Sequence, residues 1–224
     1  MDLSILSRHQ RDRYKQIVRI LVKHGLGFVL PKVDIPWFNR ILKKRYAKEV
    51  PLPERMRRVM EDLGPTFIKL GQFLSTRRDI LPEEYADEFG KLVDEAPAFL
   101  YSNAKKIIEE DYGKDIETVF RELDREPSAA ASIGQAHNAV LKSGEKVVVK
   151  VQRPGIRTTV NDDLGILRSL AELAHRNIPE IRNYNLTGLV EEFSRSISRE
   201  MDYLKEARNT ERFRKFFSRN KSVV

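Results

Sequence analysis

Residues 127–154 read PSAAASIGQAHNAVLKSGEKVVVKVQRP, and this stretch decides the fold. Val147, Val148, Val149 and Val151 form a β-branched run around Lys150, bounded by Ser143-Gly144 before it and Pro154-Gly155 after it, which predicts a buried strand. Gln135 to Leu141 predicts its antiparallel partner, because Lys142-Ser143-Gly144-Glu145 supplies the glycine that a tight connection needs. Lys150 then stands mid-strand, where a buried cation requires an anion.

Ahead of the hairpin lies Ala129-Ala130-Ala131-Ser132-Ile133-Gly134-Gln135. A small-residue loop between strands, followed by a strand lysine in a V-V-V-K context, is the arrangement by which kinase-like folds hold a nucleotide: the loop covers the phosphates and the lysine pairs with them. The usual loop is rich in glycine. Three alanines keep this one small, but their Cβ atoms disfavour positive φ and hold the backbone farther from a phosphate.

The remainder reads as helix. Ile17, Ile20, Leu21 and His24 follow helical spacing with Lys15, Arg19 and Lys23 beside them, predicting a basic amphipathic helix. Gly25, Gly27, Pro31 and Pro36 interrupt the chain, and Pro51-Leu52-Pro53 mark a boundary. A helix from Glu54 to Asp62 stops at Gly64, and Pro65-Thr66 opens another. On that second helix Phe67, Leu70, Gly71 and Leu74 share one face, and Lys69, Gln72 and Thr76 the other. Gly71 costs about 1 kcal/mol against alanine inside a helix, which implies that another backbone passes close to it. Further helices are expected from Pro82 to Val93, from a Ser102 cap to Tyr112, from Asp115 to about Leu123, and from Pro154 to Asn177. The longest runs from Asn185 or Thr187 to Phe217 on a stripe of Leu186, Leu189, Val190, Phe193, Ile197 and Leu204. Glu200 falls inside that stripe, and a carboxylate facing a core calls for a cation.

Taken together these motifs resemble the UbiB/AarF family of atypical kinase-like proteins. Its hallmarks are an Ala-rich loop in place of the Gly-rich one, an upstream K-x-G-Q motif, and E-x-D followed by the helix-C glutamate. Here they match Ala129 to Ala131 with Ser132-Ile133-Gly134-Gln135, then Lys69-Leu70-Gly71-Gln72, and Glu200-Met201-Asp202 with Glu206. Where the family reads K-L-Q-D, this chain has Lys91-Leu92-Val93-Asp94, with Val93 replacing the glutamine. The resemblance implies an α+β fold in which a mostly helical N-terminal extension packs on a kinase-like N-lobe with a small antiparallel sheet and a long helix C. The implied organisation is a basic amphipathic segment at 1–50, a helical extension with the K-x-G-Q motif at 51–125, and the N-lobe at 126–224. It also implies nucleotide contacts from Ala129, Ala130, Ala131, Ser132, Ile133, Gly134 and Lys150, and structural or regulatory roles for Lys69, Gly71, Gln72, Glu200, Asp202 and Glu206. Kinase logic assigns Glu206 to Lys150, which leaves Glu200 for Lys69.

Composition bounds the function. The 224 residues include no Cys, which excludes disulfide and thiol chemistry and favours a reducing compartment. His9, His24, His137 and His175 have no metal-ligand spacing, so no metal site is expected from them. No apolar run approaches the roughly 20 residues of a membrane span, which predicts a cytoplasmic chain with at most peripheral membrane association. Residues 1–60 hold 15 Lys and Arg against 5 Asp and Glu, a net of +10, while the rest of the chain is at −2. A solvated face, a nucleic-acid patch and a membrane-surface dock all fit such a segment. Its interleaved Ile17, Ile20, Leu21, Phe28, Val29, Leu30, Trp37 and Phe38 favour an anionic membrane surface or isoprenoid lipid, with no nucleic acid.

No H-R-D-like catalytic loop and no D-F-G occurs before the last residue, Val224. The sequence therefore matches the N-terminal extension and N-lobe and contains no catalytic group of its own; ATP or ADP with Mg2+ is expected only together with a C-terminal lobe. The resemblance implies ATP-dependent phosphoryl chemistry supporting ubiquinone or related isoprenoid-quinone biosynthesis at a membrane, with quinone-biosynthesis proteins as partners. A non-catalytic lipid- or partner-binding module is the alternative.

Overall fold

The computed structural model describes residues 8–27, 50–94, 96–177, 184–218 and 220. Phe28, Val29, Leu30, Pro31, Pro36, Trp37 and Phe38 lie outside them. In chain order the elements are α1 (Arg8–Lys23), α2 (Leu52–Leu63), α3 (Pro65–Ser75), α4 (Glu83–Phe89), α5 (Tyr101–Tyr112), α6 (Ile116–Val119), β1 (Phe120–Leu123), β2 (Ala129–Ala130), β3 (Gly134–Leu141), β4 (Lys146–Gln152), α7 (Ile156–Asn177), α8 (Leu186–Glu200) and α9 (Tyr203–Phe217). They form two compact units that are not consecutive stretches: residues 1–97 with 155–190, and residues 98–154 with 191–224. These boundaries differ from the division at 50 and 125 expected from the sequence.

In the first unit Tyr14, Ile17, Val18 and Val22 of α1 are buried with Val59, Met60 and Leu63 of α2, Phe67 of α3, Phe89 of α4 and Ile166 of α7. The first helix is thus a core element. Its apolar face, expected to dock on a membrane, is consumed within the protein, where burying each large side chain contributes about 1.5–3 kcal/mol. An ion pair fixes the helix further. Arg13 donates from Nε to Asp163 Oδ1 at 2.7 Å and from Nη2 to Asp163 Oδ2 at 2.9 Å, and Nη2 also reaches Leu63 O at 2.8 Å. Asp163 is fully buried in the middle of α7, so the bidentate contact supplies the partner that a buried carboxylate requires.

The second unit is built on an antiparallel sheet in which β3 pairs with β1 and β2 along one side and with β4 along the other. The hairpin closes as its sequence predicts: Leu141 N donates to Glu145 O at 2.9 Å, and Gly144 adopts φ 95°, a left-handed conformation in which glycine carries no Cβ penalty. Strand β4 departs from the buried run expected of it. Val147, Val149 and Val151 pack on the core of α5 and α6, whereas Lys146, Val148 and Lys150 are exposed on the opposite face. Strand periodicity outweighs composition here, and Val148 is left 58% exposed.

Other expectations are corrected by local chemistry. Residues 120–123 are a strand rather than the end of a helix, because Phe120 turns into the core and pairs across to Leu141. Helix α5 begins at Tyr101 with Leu100 as its cap, so Ser102 lies inside it. Helix α4 ends at Phe89, short of Val93. The single long helix expected to reach Phe217 is two, broken at Met201 and Asp202. Asp202 caps the second, its side chain accepting from Lys205 N at 2.9 Å; a carboxylate that satisfies the N-terminal amides of a new helix competes with continuation of the old one.

The Arg13 pair gives a direct test. Arg13→Ala leaves Asp163 buried without its cation and is expected to lower stability by about 3–5 kcal/mol in urea unfolding, whereas the exposed Lys15→Ala changes it by less than about 0.5 kcal/mol.

Candidate functional site

Lys150 leaves β4 on the exposed face and donates to Glu206 Oε1 on α9, with its Nζ 5.9 Å from the centroid of the Tyr203 ring. Three local features place Glu206. Gln152, two residues along the same face of β4, donates to Met201 O at the helix break, Asp202 caps α9 there, and Glu206 N bonds back to Asp202 O at 3.1 Å, so the glutamate is set one turn into the new helix. Both side chains of the pair are about half exposed (48% and 50%), so it orients the lysine rather than stabilising the fold by much.

The Ala-rich segment lies at the end of the same sheet. Ala129 and Ala130 form β2 against Ala136 and Gln135, and Ala131 N donates to Gly134 O at 2.8 Å to close the turn. Ser132 and Ile133 are buried as whole residues, so of the residues expected to meet a nucleotide these two present almost no surface to one. Gly134 has no room for a side chain: a Cβ there would come within 2.6 Å of Val151 O and collide with the Tyr203 hydroxyl.

Beneath the turn is a polar chain that sequence reasoning missed. Arg153 donates from Nε to Ser132 O at 3.1 Å and from Nη2 to Ala131 O at 3.2 Å, with its guanidinium 5.6 Å from the Phe99 ring centroid. Gln135 holds the Phe99 backbone at both ends, accepting from its N at 3.0 Å and donating to its O at 3.3 Å, and its amide also meets His137 Nε2 at 2.9 Å. His137 Nδ1 lies 2.8 Å from Asp124 O. A carbonyl can only accept, so His137 carries its proton on Nδ1 and receives the Gln135 amide on Nε2. The histidine that showed no metal spacing is therefore a fully buried structural link.

In the first unit, the K-x-G-Q helix α3 grips the segment after α4. Lys69 Nζ is 2.5 Å from Asp94 Oδ2, Gln72 Nε2 donates to Leu92 O at 3.0 Å, and a Cβ on Gly71 would run into the side chains of Leu92 and Met60. The close approach inferred at Gly71 is real, but it is made by side chains rather than by a backbone. Lys69 and Gln72 are partly buried, and the polar and packing faces expected to be separate converge on Leu92 and Asp94. Val93, between those two, is 60% exposed. Glu200 does not lie on an apolar stripe. The buried positions of α8 are Val190, Phe193 and Ile197, their continuation is the buried Met201, and Glu200, the last residue of the helix, is exposed.

Residues 91–224 match the family model of the ABC1 atypical kinase-like domain, more than half of the chain. The chain belongs to this family. It is 40% identical over 213 residues to a probable protein kinase UbiB of Pseudomonas fluorescens and 42% identical over 214 residues to one of Azotobacter vinelandii, in each case over 92% of this chain and 40% of the relative. An uncharacterized protein of Synechocystis sp. is 44% identical over 201 residues, 85% of this chain and 34% of that protein. The chain thus spans about two fifths of the length of the UbiB relatives it matches. A solved structure, the complex structure of Rv3197-erythromycin from Mycobacterium tuberculosis, aligns with a TM-score of 0.49 at 28% identity over 73% of this chain and 41% of that one.

The residues singled out in the sequence thus fall into two groups, one in each unit. Ala129 to Gly134, Lys150, Asp202 and Glu206 belong to the second unit, as does Glu200; Lys69, Gly71 and Gln72 belong to the first. Among the described residues, no group of three His, Cys, Asp or Glu side chains is placed to hold a metal ion.

The motif grip is testable by a double-mutant cycle. Lys69 and Asp94 are mostly shielded from solvent (12% and 25% exposed), so Lys69→Ala and Asp94→Ala are expected to be non-additive, with a coupling of about 1–3 kcal/mol in denaturant unfolding. Additivity within error would mean that the pair contributes nothing. Asp202→Ala removes a helix cap and is expected to cost about 1 kcal/mol, which Asp202→Ser largely restores.

Proposed function

We propose that this chain supplies the phosphate-contacting part of an ABC1-family nucleotide site, in which Lys150, oriented by Glu206, meets the phosphates of ATP or ADP beside the turn at Ala129 to Gly134. The observation that carries the reading is the Lys150–Glu206 pair on the exposed face of β4: a strand lysine held by a helix glutamate is the arrangement that kinase-like folds use to position phosphates. The relatives named as probable protein kinases support it. The residues present fit the phosphates but not the metal. Lys150 is a point charge suited to phosphate oxygens, whereas Mg2+ would need carboxylates grouped together, and among the described residues no three are placed to hold a metal ion; the attacking group would need a catalytic loop, and no H-R-D-like motif occurs in the sequence.

Phosphoryl chemistry in support of ubiquinone or related isoprenoid-quinone biosynthesis is the fuller form of this reading, and it rests on the UbiB name of the relatives. Peripheral attachment to an anionic membrane surface belongs with it. No described helix is long and apolar enough to cross a membrane, and residues 1–60 carry a net charge of +10. With the apolar face of α1 buried, the attraction would come from basic side chains, at about 1 kcal/mol each and decaying within a Debye length of roughly 8 Å.

Two measurements test these points. In the protein as its gene encodes it, Lys150→Met is expected to weaken ADP binding by roughly tenfold or more in isothermal titration, with Glu206→Gln giving a smaller loss and adenosine affinity unchanged in both. Unaltered ADP affinity in Lys150→Met would sink the reading. Co-sedimentation with anionic vesicles should disappear as salt is raised and be absent with neutral vesicles; salt-independent pelleting would count against charge-driven attachment.

A further inference from the structure

The geometry points to Tyr203 as a positioning residue whose ring holds Lys150 beside the end of the Ala-rich turn, a role that rests on the proposed nucleotide reading and gives its lysine a second restraint. Glu206 alone would hold Lys150 loosely. Both side chains of that pair are about half exposed, and an ion pair between two long side chains in water gives up rotamer freedom for a screened attraction. The Nζ of Lys150 also lies over the Tyr203 ring, 5.9 Å from its centroid, within the range in which the face of an aromatic ring attracts a cation. Tyr203 and Glu206 stand three residues apart at the start of α9, the spacing that makes two side chains neighbours on a helix surface, so one turn supplies both the ring and the carboxylate.

The sheet is cleared to receive that ring. In the β3–β4 register Lys150 is opposite Ala136 and Gln152 is opposite Gly134, and directly opposed residues put their side chains on one face. On β3 this face therefore carries a methyl group at 136 and nothing at 134. A Cβ on Gly134 would collide with the Tyr203 hydroxyl, so the tyrosine reaches from the lysine to the residue whose carbonyl oxygen accepts from Ala131 N to close the turn. Gly134 is buried although Val148 and Lys150, on the same face, are exposed. Its φ is not among the positive ones, so the backbone makes no demand for glycine there and the demand is for space.

An aromatic ring suits this task where an aliphatic side chain does not. Leucine would fill part of the same space, but it has no negative ring face to hold an ammonium, whereas phenylalanine keeps the face and lacks only the hydroxyl. A lysine restrained by a carboxylate and a ring presents its Nζ already placed. Phosphate oxygens then meet a cation whose side chain does not have to be ordered on binding, which removes part of the entropic cost of association. A nucleoside without phosphates makes no use of Nζ, so the benefit of the ring belongs to the phosphates alone.

The test uses the protein as its gene encodes it, with 13C-labelled lysine for NMR and with titrations of ADP and adenosine. In the unaltered protein the protons beside the Lys150 ammonium are expected upfield of those of Lys146, at the far end of the same strand, because the Tyr203 ring current shields them. Tyr203→Phe is expected to keep that displacement and the ADP affinity. Tyr203→Leu is expected to lose the displacement and to bind ADP about three- to fivefold more weakly with adenosine affinity unchanged, a split that a merely structural role would not produce. An undisplaced Lys150 signal in the unaltered protein, a Tyr203→Phe variant as weak for ADP as Tyr203→Leu, or equal losses of ADP and adenosine would overturn the assignment. Since the displacement is read first in the unaltered protein, the test remains decisive even where Tyr203→Leu does not fold. The nucleotide reading fails separately: if Lys150→Met leaves ADP affinity untouched while the Lys150 signal still depends on the ring, Lys150 is not the phosphate partner and the hold of Tyr203 on it stands. If Lys150→Met loses ADP and Tyr203→Leu does not, the nucleotide reading stands and the role of Tyr203 falls.

Discussion

Strand β4 sends neighbouring side chains to opposite faces, and the second unit is arranged around that alternation. Odd positions from Val147 to Val151 are the apolar cover for α5 and α6, and Arg153 continues the row with a cation that finds carbonyls and an aromatic ring instead of solvent. Even positions Lys150 and Gln152 face α9 and the helix break before it. A one-residue slip in register with β3 would exchange the two rows, placing lysine against the core and valine in water, so the polar contacts on both faces and the apolar core enforce the same pairing.

The first unit solves a different problem. A chain with a strongly basic beginning has to keep cations near a core without burying them unpaired. Arg13 is spent on Asp163, Lys23 and His24 share Asp62, and Arg57 lies between Glu61 and Glu88. Asp62 is held below the ordinary carboxylate range, chiefly by its hydrogen bonds from His24 and Lys23. Its contribution is present above the usual carboxylate pKa and is lost as pH falls through the lowered value. The basic excess of the sequence is thus partly internal wiring rather than outward field.

How much of this was legible in the sequence depended on whether the signal was local. The β3–β4 hairpin was, because a β-branched run, a turn glycine and a closing Pro-Gly lie within one stretch. Lys150 and Glu206 were legible through motif register. Strand β1 was not, since Phe-Arg-Glu-Leu has no alternation distinguishing it from a helix end and is a strand only because β3 is there to pair with it. The break at Met201 was concealed by apolar spacing that continues through Ile197 and Met201, although Asp202 just before Tyr203 and Leu204 carried the signature of a cap. Arg153, Gln135 and His137 were invisible for a simpler reason: the carbonyls of Ala131, Ser132, Phe99 and Asp124 that they hold are backbone atoms, which leave no mark in a sequence.

Gly134 gives the arrangement an unexpected vulnerability. Its missing side chain is the space in which the Tyr203 hydroxyl sits, and Tyr203 is the first residue of the helix that carries Glu206. Adding a single methyl group at 134 would not touch the lysine or the glutamate, yet it would press on the root of α9 and swing the carboxylate like the far end of a lever. The most conservative change available at that position would thus be read out at the ion pair, as a defect in charge placement caused by a hydrocarbon.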